Sequence, residues 1–370
     1  MIKRKNIFGW LDGWLAVGVL ACVIIGFFAI ASSTLTMGQT RYLIVQGAAF
    51  LIGIIAILLI CKIDYEDIGQ LAPFIFGFNI LMLVIVLLIG EGRDEVGTRG
   101  WIRFGFVGIQ PAELVKIGFI ITFAKHIEAV GDDINRIKNV LLLVLHAGIL
   151  VGLVLLQPDF GTAIVFVFMF VVMLFVAGIS WKYIASAFGT VAVCAVPVWM
   201  FLLKDFQKNR ILSFFNPELD PMGSGYHVLQ SKIAIGSGKT MGQGLFNGVQ
   251  TQLGYLPEKQ TDFIYAVIGE ELGLWGALLV LTFLLIVVVR CFVISCDSRD
   301  LFGQLLCVGV GSMFMFHVIE NIGMCIGIMP VTGISLPFIS YGGSNMIASM
   351  LGIALVLNVN MRKKKLNFYG

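Results

Sequence analysis

The feature that most limits what this chain can become is a succession of apolar stretches, each long enough to cross a lipid bilayer. A spanning helix needs about 20 predominantly apolar residues. Ten stretches meet that need, starting near Trp14, Tyr42, Leu71, Pro111, Asn139, Phe160, Tyr183, Phe263, Leu301 and Tyr341. Composition agrees: 58% of the 370 residues are hydrophobic and only 13% are charged, whereas soluble domains carry roughly 45–50% apolar and 25% charged residues. The expected fold is an all-α polytopic membrane protein of about ten transmembrane helices, one domain over residues 1–370. Lys3, Arg4 and Lys5 precede an apolar run of full spanning length with no small-residue cleavage site, so no cleavable signal is expected.

Basic residues in short loops set orientation. One side would carry Lys3, Arg4, Lys5, Lys62, Lys125, Arg136, Lys138, Lys182, Arg290, Arg299, Arg362, Lys363, Lys364 and Lys365; the other has only Arg41, Arg93, Arg99 and Arg103 in its short loops. Both termini are therefore expected in the cytoplasm, with the RKKK run at Arg362–Lys365 a topological anchor rather than a nucleic-acid patch. The seven cysteines lie in apolar helices or at their ends and form no CxxC, which argues against a disulfide framework or a zinc site.

Two outer segments exceed simple connections, Glu91–Gln110 and Lys204–Thr261. Long loops in compact proteins usually carry function. Within the second, Tyr226–Ile235 reads as a short amphipathic helix on the membrane surface. Where it ends, LPEKQTDFIYAVIGEELGLW (Leu256–Trp275) sets Asp262 at the lip of an apolar helix and Glu270 and Glu271 further along it. Carboxylates beside hydrocarbon are costly, so at least one is expected to function. The competing reading makes Asp262 the N-cap of the helix.

Other polar residues gather on the same side. In QPAELVKIG, Pro111 suits the first position of a helix. Glu113 and Lys116 then share one face, either as a self-neutralising pair or as the lining of a polar cavity. Arg99 and Arg103 flank Trp101 just before them and would suit an anion. In LLQPDFGTA, Asp159 is expected to cap the next helix, with a cavity role as the alternative. NRILSFFNP sets Arg210 beside aromatic residues, for stacking or for phosphate oxygens. The Gly-rich IGSGKTMGQG lacks the order of a nucleotide-binding loop. His317 in HVIENIGM reads as a hydrogen-bonded helix residue rather than a metal ligand. The following MPVTGISLPFISYGGSN has too many Pro and Gly for helix, and at membrane depth such backbone must be covered by protein or line a cavity.

Taken together, GWIRFGFVGIQPAELVK, LLQPDFGTA, NRILSFFNP, LPEKQTDFIYAVIGEELGLWG and NIGMCIGIMPVTGISLPFISYGGS resemble the SEDS family (shape, elongation, division and sporulation). QSKIAIGSG, GQG and TQLGYLPEKQTDFI are closer to its RodA branch than to FtsW. The chain departs from the family at Ala112 (usually Ser), Lys239 (commonly Gly), Ser335 (usually Pro) and Glu320. The resemblance implies a peptidoglycan glycosyltransferase that polymerises lipid II on the outer face of the bacterial cytoplasmic membrane. It also implies work in cell elongation with a class B penicillin-binding protein and the elongation machinery, an FtsW-type polymerase of division or sporulation being the alternative. Asp262 matches the family's essential aspartate, and Glu113, Lys116, Asp159 and Arg210 match polar motif positions. On this reading Asp262 is the general base, its pKa raised by desolvation. Arg210, Lys116 and Arg103 stabilise the pyrophosphate, and Glu113 holds Lys116. A divalent cation (Mg or Mn) could assist, although no ligand cluster marks a site. The rival class is a flippase for lipid-linked precursors, which would show ten helices and broken helices too.

Overall fold

A computed structural model describes residues 11–90, 100–104, 107–197 and 223–363, with Met200, Lys208 and Leu212. Ten long helices stand where the ten apolar stretches lie. They are α1 (Gly13–Ser33), α2 (Gln39–Ile60), α4 (Ala72–Ile89), α5 (Pro111–Val130), α6 (Ile137–Leu156), α7 (Phe160–Val176), α8 (Trp181–Pro197), α11 (Ile264–Cys296), α12 (Leu301–Ile326) and α13 (Gly343–Met361). Among the described residues, seven of these are long and apolar enough to span a membrane by length and composition. Those criteria omit α5, with its four charged residues between Glu113 and Glu128, and the shorter α7 and α8.

Among the described residues there are also three shorter α-helices, α3 (Tyr65–Gln70), α9 (Ser224–Gly238) and α10 (Val249–Gln252), a 3-10 turn (Gly131–Asn135), and a hairpin of strands β1 (Ile102–Phe104) and β2 (Val107–Ile109). The strands pair antiparallel, Arg103 opposite Gly108. The hairpin and α3 follow no apolar periodicity and were not expected.

Helices α12 and α13 are the innermost, while α2 and α4 expose most of their surface. Outward residues such as Phe74, Leu88, Trp14 and Ile44 are apolar, which suits contact with lipid rather than water. Small residues let backbones close: a side chain at Gly26 of α1 would run into the backbone of Ile339.

The two ends of the bundle differ. One gathers ion pairs and hydrogen bonds that staple helix ends: Arg290 to Asp12, Arg299 to Glu66, Arg362 to Asp64, and Tyr65 to Asp300. Asp12 is also the N-cap of α1, accepting from Leu15 N. The opposite end carries the long loops and the candidate residues.

Candidate active site

Asp262 stands in the turn before α11. The N-cap of that helix is Phe263, so the capping reading of Asp262 does not hold. Its side chain is half-buried. Its backbone carbonyl accepts from Asn321 Nδ2 (2.8 Å) and from Cys325 Sγ (3.7 Å), both on α12. The same Asn321 amide donates to Ile334 O (2.8 Å) in the connection between α12 and α13. Ser340 Oγ donates to Thr261 O and accepts from Leu336 N. Tyr341 N donates to Gln260 O. The Asp262 turn and the connection 327–342 are thus sewn together strand-like, without a sheet.

This is how irregular backbone survives at the bundle's end: its polar groups are bonded internally. Gly333 adopts φ +78°, and a Cβ built there would lie 3.4 Å from Asp262 Oδ2. The positive φ calls for glycine, which sits in contact range of the carboxylate.

Behind the connection lies a buried polar chain. Lys116 Nζ reaches Glu113 Oε1 at 2.8 Å and His317 Nε2 at 2.8 Å. His317 Nδ1 meets Ser335 O at 2.9 Å. A lysine ammonium has only donors, so His317 Nε2 accepts and Nδ1 donates to Ser335: one neutral tautomer satisfies both contacts. Lys116 is 1% exposed, so its charge acts from inside the wall rather than at its surface. Glu320, the unexpected carboxylate, accepts from Thr332 Oγ1 (2.8 Å) next to Gly333.

Asp159 caps α7 by accepting from Thr162 N (3.0 Å) and Thr162 Oγ1 (2.8 Å), and it also accepts from Gln110 Nε2 (3.3 Å). The capping reading is the one the geometry bears out. Gln110 N donates to Ser344 Oγ, which brings α13 to the same place. Arg103 is exposed on β1 at this end of the bundle. Arg210 and Arg99 lie outside the described residues.

Glu270 and Glu271 serve the loop instead. Glu270 accepts from Gln250 N (2.7 Å), Thr251 N (3.0 Å) and Thr251 Oγ1 (2.7 Å), and Glu271 accepts from Ser32 Oγ and Gln252 Nε2. Lys259, buried beside them, donates to Thr251 O. Burial lowers the pKa of this ammonium, and the two carboxylates oppose that shift. The surface helix expected at Tyr226–Ile235 is α9, which packs on α11 and α12 through Ser231, Ala234 and Gly238 while Leu229 and Ile233 face outward. Among the described residues no group of three His, Cys, Asp or Glu is placed to hold a metal ion.

Comparison with known proteins places this arrangement. The cell cycle protein family of FtsW, RodA and SpoVE matches residues 12–365. Peptidoglycan glycosyltransferase MrdB of Escherichia coli K12 is 36% identical over 317 residues, covering 85% of this chain and 84% of that protein. Stage V sporulation protein E of Bacillus subtilis is 36% identical over 310 residues, 84% of each. Among solved structures, a chain of a peptidoglycan synthase complex that coordinates polymerization and crosslinking superposes with TM-score 0.81 at 31% identity, covering 94% of this chain and 97% of that one. Rod shape determining protein RodA of Thermus thermophilus gives TM-score 0.72 at 27% identity, over 98% and 100%.

Proposed function

This chain belongs to the FtsW–RodA–SpoVE (SEDS) family of polytopic membrane proteins, and on that footing we propose that it is a peptidoglycan glycosyltransferase polymerising lipid II with Asp262 as general base. The observation that carries the role of Asp262 is its setting. Asp262 is half-exposed in the turn where α11, α12 and the 327–342 connection meet, whereas Glu270 and Glu271 are bound into loop support and the exposed Glu258 accepts from Thr261 Oγ1 and Gln260 Nε2 within its own turn.

The 4-hydroxyl of the acceptor sugar attacks the anomeric carbon of the polyprenyl-pyrophosphate-linked donor. A C–O bond forms to the acceptor as the bond to pyrophosphate breaks, and the hydroxyl proton passes to Asp262. A single displacement inverts the anomeric centre and needs no covalent intermediate. Arg103, exposed on the hairpin, and Arg210 supply guanidinium forks for the leaving pyrophosphate. Lys116 adds positive charge from behind the wall, and Glu113 and His317 fix it there. Asp159 keeps the start of α7 and Gln110 in register with this wall.

The catalytic end lies on the outer face of the cytoplasmic membrane with both termini inside. The work is cell elongation, in company with a class B penicillin-binding protein that crosslinks the new strands. The test is to supply lipid II to the purified chain in vesicles, with a partner whose transpeptidase is inactivated, and to follow glycan product and lipid movement separately. Glycan strands support the polymerase. Movement of lipid II between leaflets without polymer would replace it with the flippase.

A further inference from the structure

We propose that residues 239–255, between α9 and the Asp262 turn, are not an aqueous loop. They form a ledge seated in the leaflet on the Asp262 side, its outer face against acyl chains.

The first argument is depth. The Arg290–Asp12 ion pair marks the far edge of the hydrocarbon on both α11 and α1. At about 1.5 Å per residue, Trp275 stands ~22 Å above Arg290, and Phe28 stands ~24 Å above Asp12. The hydrocarbon core is about 30 Å thick, so both rulers put Trp275 and Phe28 inside it. The ledge bonds to this level of α11: Gln243 N to Glu270 O, Gly244 N to Glu271 O, and Leu274 N and Trp275 N to the carbonyls of Lys239 and Thr240. Leu245 meets Ile25, Phe28, Ile268 and Leu272 around a crevice of about 80 Å³.

The second argument is backbone satisfaction. Non-helical chain at membrane depth persists only where its polar groups are bonded within the protein. Most N–H groups of the segment, those of Gly242, Gln243, Gly244, Asn247 and every residue from Val249 to Tyr255, have protein acceptors, among them the carboxylate of Glu270 and the side chain of Gln243, while those of Thr240, Met241, Leu245, Phe246 and Gly248 have none among the described residues. Two buried glutamates are thus spent on a segment that water would have hydrated at no cost.

The third argument is the outward surface. Met241 is 79% exposed and Leu253 63%, and Leu245, Phe246, Val249 and Tyr255 are exposed with them. This face runs into the exposed stripe Leu274, Trp275, Leu278 and Leu279 of α11. Tyr255 and Trp275 supply the amphipathic rings typical of the interface. Lys239, Thr240 and Asn247 are exposed on the same segment and reach toward the headgroups, while the apolar remainder of the surface calls for hydrocarbon.

The test uses the full chain in phosphatidylcholine nanodiscs with Cys194→Ser and Cys296→Ser, since Cys22, Cys61, Cys291, Cys307 and Cys325 are buried; this background without an added cysteine is the blank. Met241→Cys, Val249→Cys and Leu253→Cys are compared with Asp132→Cys, exposed at the opposite end. Expected are labelling of all three by a charged maleimide at about a tenth of the Asp132→Cys rate, and strong quenching of an attached fluorophore by acyl-chain nitroxide lipids. Labelling as fast as at Asp132→Cys, without nitroxide quenching, would overturn the proposal. So would quenching that disappears at all three positions on adding the transpeptidase partner, which would make the face a protein interface.

Discussion

At the scale of single residues, two backbone positions separate what the fold tolerates from what the site requires. Lys239 ends α9 at φ +49° and ψ −135°, a region that strongly favours glycine. Lys239→Gly is expected to raise stability by about 1 kcal/mol, read as a higher unfolding temperature in detergent, because the strain disappears. Gly333 is the opposite case. Alanine there would have to adopt the positive φ of +78°, with its Cβ in ordinary contact with the Asp262 carboxylate at 3.4 Å. Gly333→Ala is expected to lower kcat by up to about 10²-fold, because relief of the strained φ shifts the turn that faces Asp262, with KM for lipid II changed far less. Equal loss of folded protein and activity would show that the glycine serves only the turn.

At the scale of elements, the ledge before Asp262 depends on close approach and on buried acceptors. Gly242, at φ +78°, leaves no room for a side chain against Glu271 O. Glu270 satisfies three buried donors at once. Glu270→Ala should cost at least about 1–3 kcal/mol, since each stranded donor loses its partner. The checkable result is new protease cleavage within 240–256 while the rest of the bundle stays intact. The sequence showed that Glu270 and Glu271 were too costly to be idle, but not that they hold the chain twenty residues before them. Helix periodicity reports a residue's own element and is silent on which loop folds back on it. The same limit hid the Lys116–His317 contact, whose partners stand 201 positions apart, whereas the i, i+3 pair of Glu113 and Lys116 was readable directly. The helix positions were legible because hydrocarbon imposes length and apolarity, most clearly on the seven that meet both demands. The Gly273 break inside α11 was not, since the apolar run continues through it.

At the scale of the whole molecule, one end is built for anchorage and the other for chemistry. Burial pushes the Asp12 carboxyl up, but the hydrogen bonds from Arg290 and Leu15 N and the nearby positive charges bring it below its ordinary value. A carboxylate depressed in the folded state adds stability above its unfolded pKa and loses it as pH falls through the folded value. Asp12→Asn is therefore expected to be less stable than wild type at neutral pH, with the gap closing below about pH 4. A gap that stays constant on acidification would make the contribution packing rather than charge. At the opposite end, Asn321 ties the Asp262 turn to the 327–342 connection, and the Lys116–His317 chain backs it. Three helices and two loops meet there to place one half-exposed carboxylate.

That carboxylate is where the account is most directly tested: lipid II polymerisation by the purified chain and an inactivated transpeptidase partner, wild type against Asp262→Asn. Asparagine is close to aspartate in shape but cannot take up the acceptor's proton. Glycan strands from wild type, and a loss of about 10²–10⁴-fold from a variant with unchanged thermal stability, are expected if Asp262 is the base. Equal polymer from both proteins would contradict it.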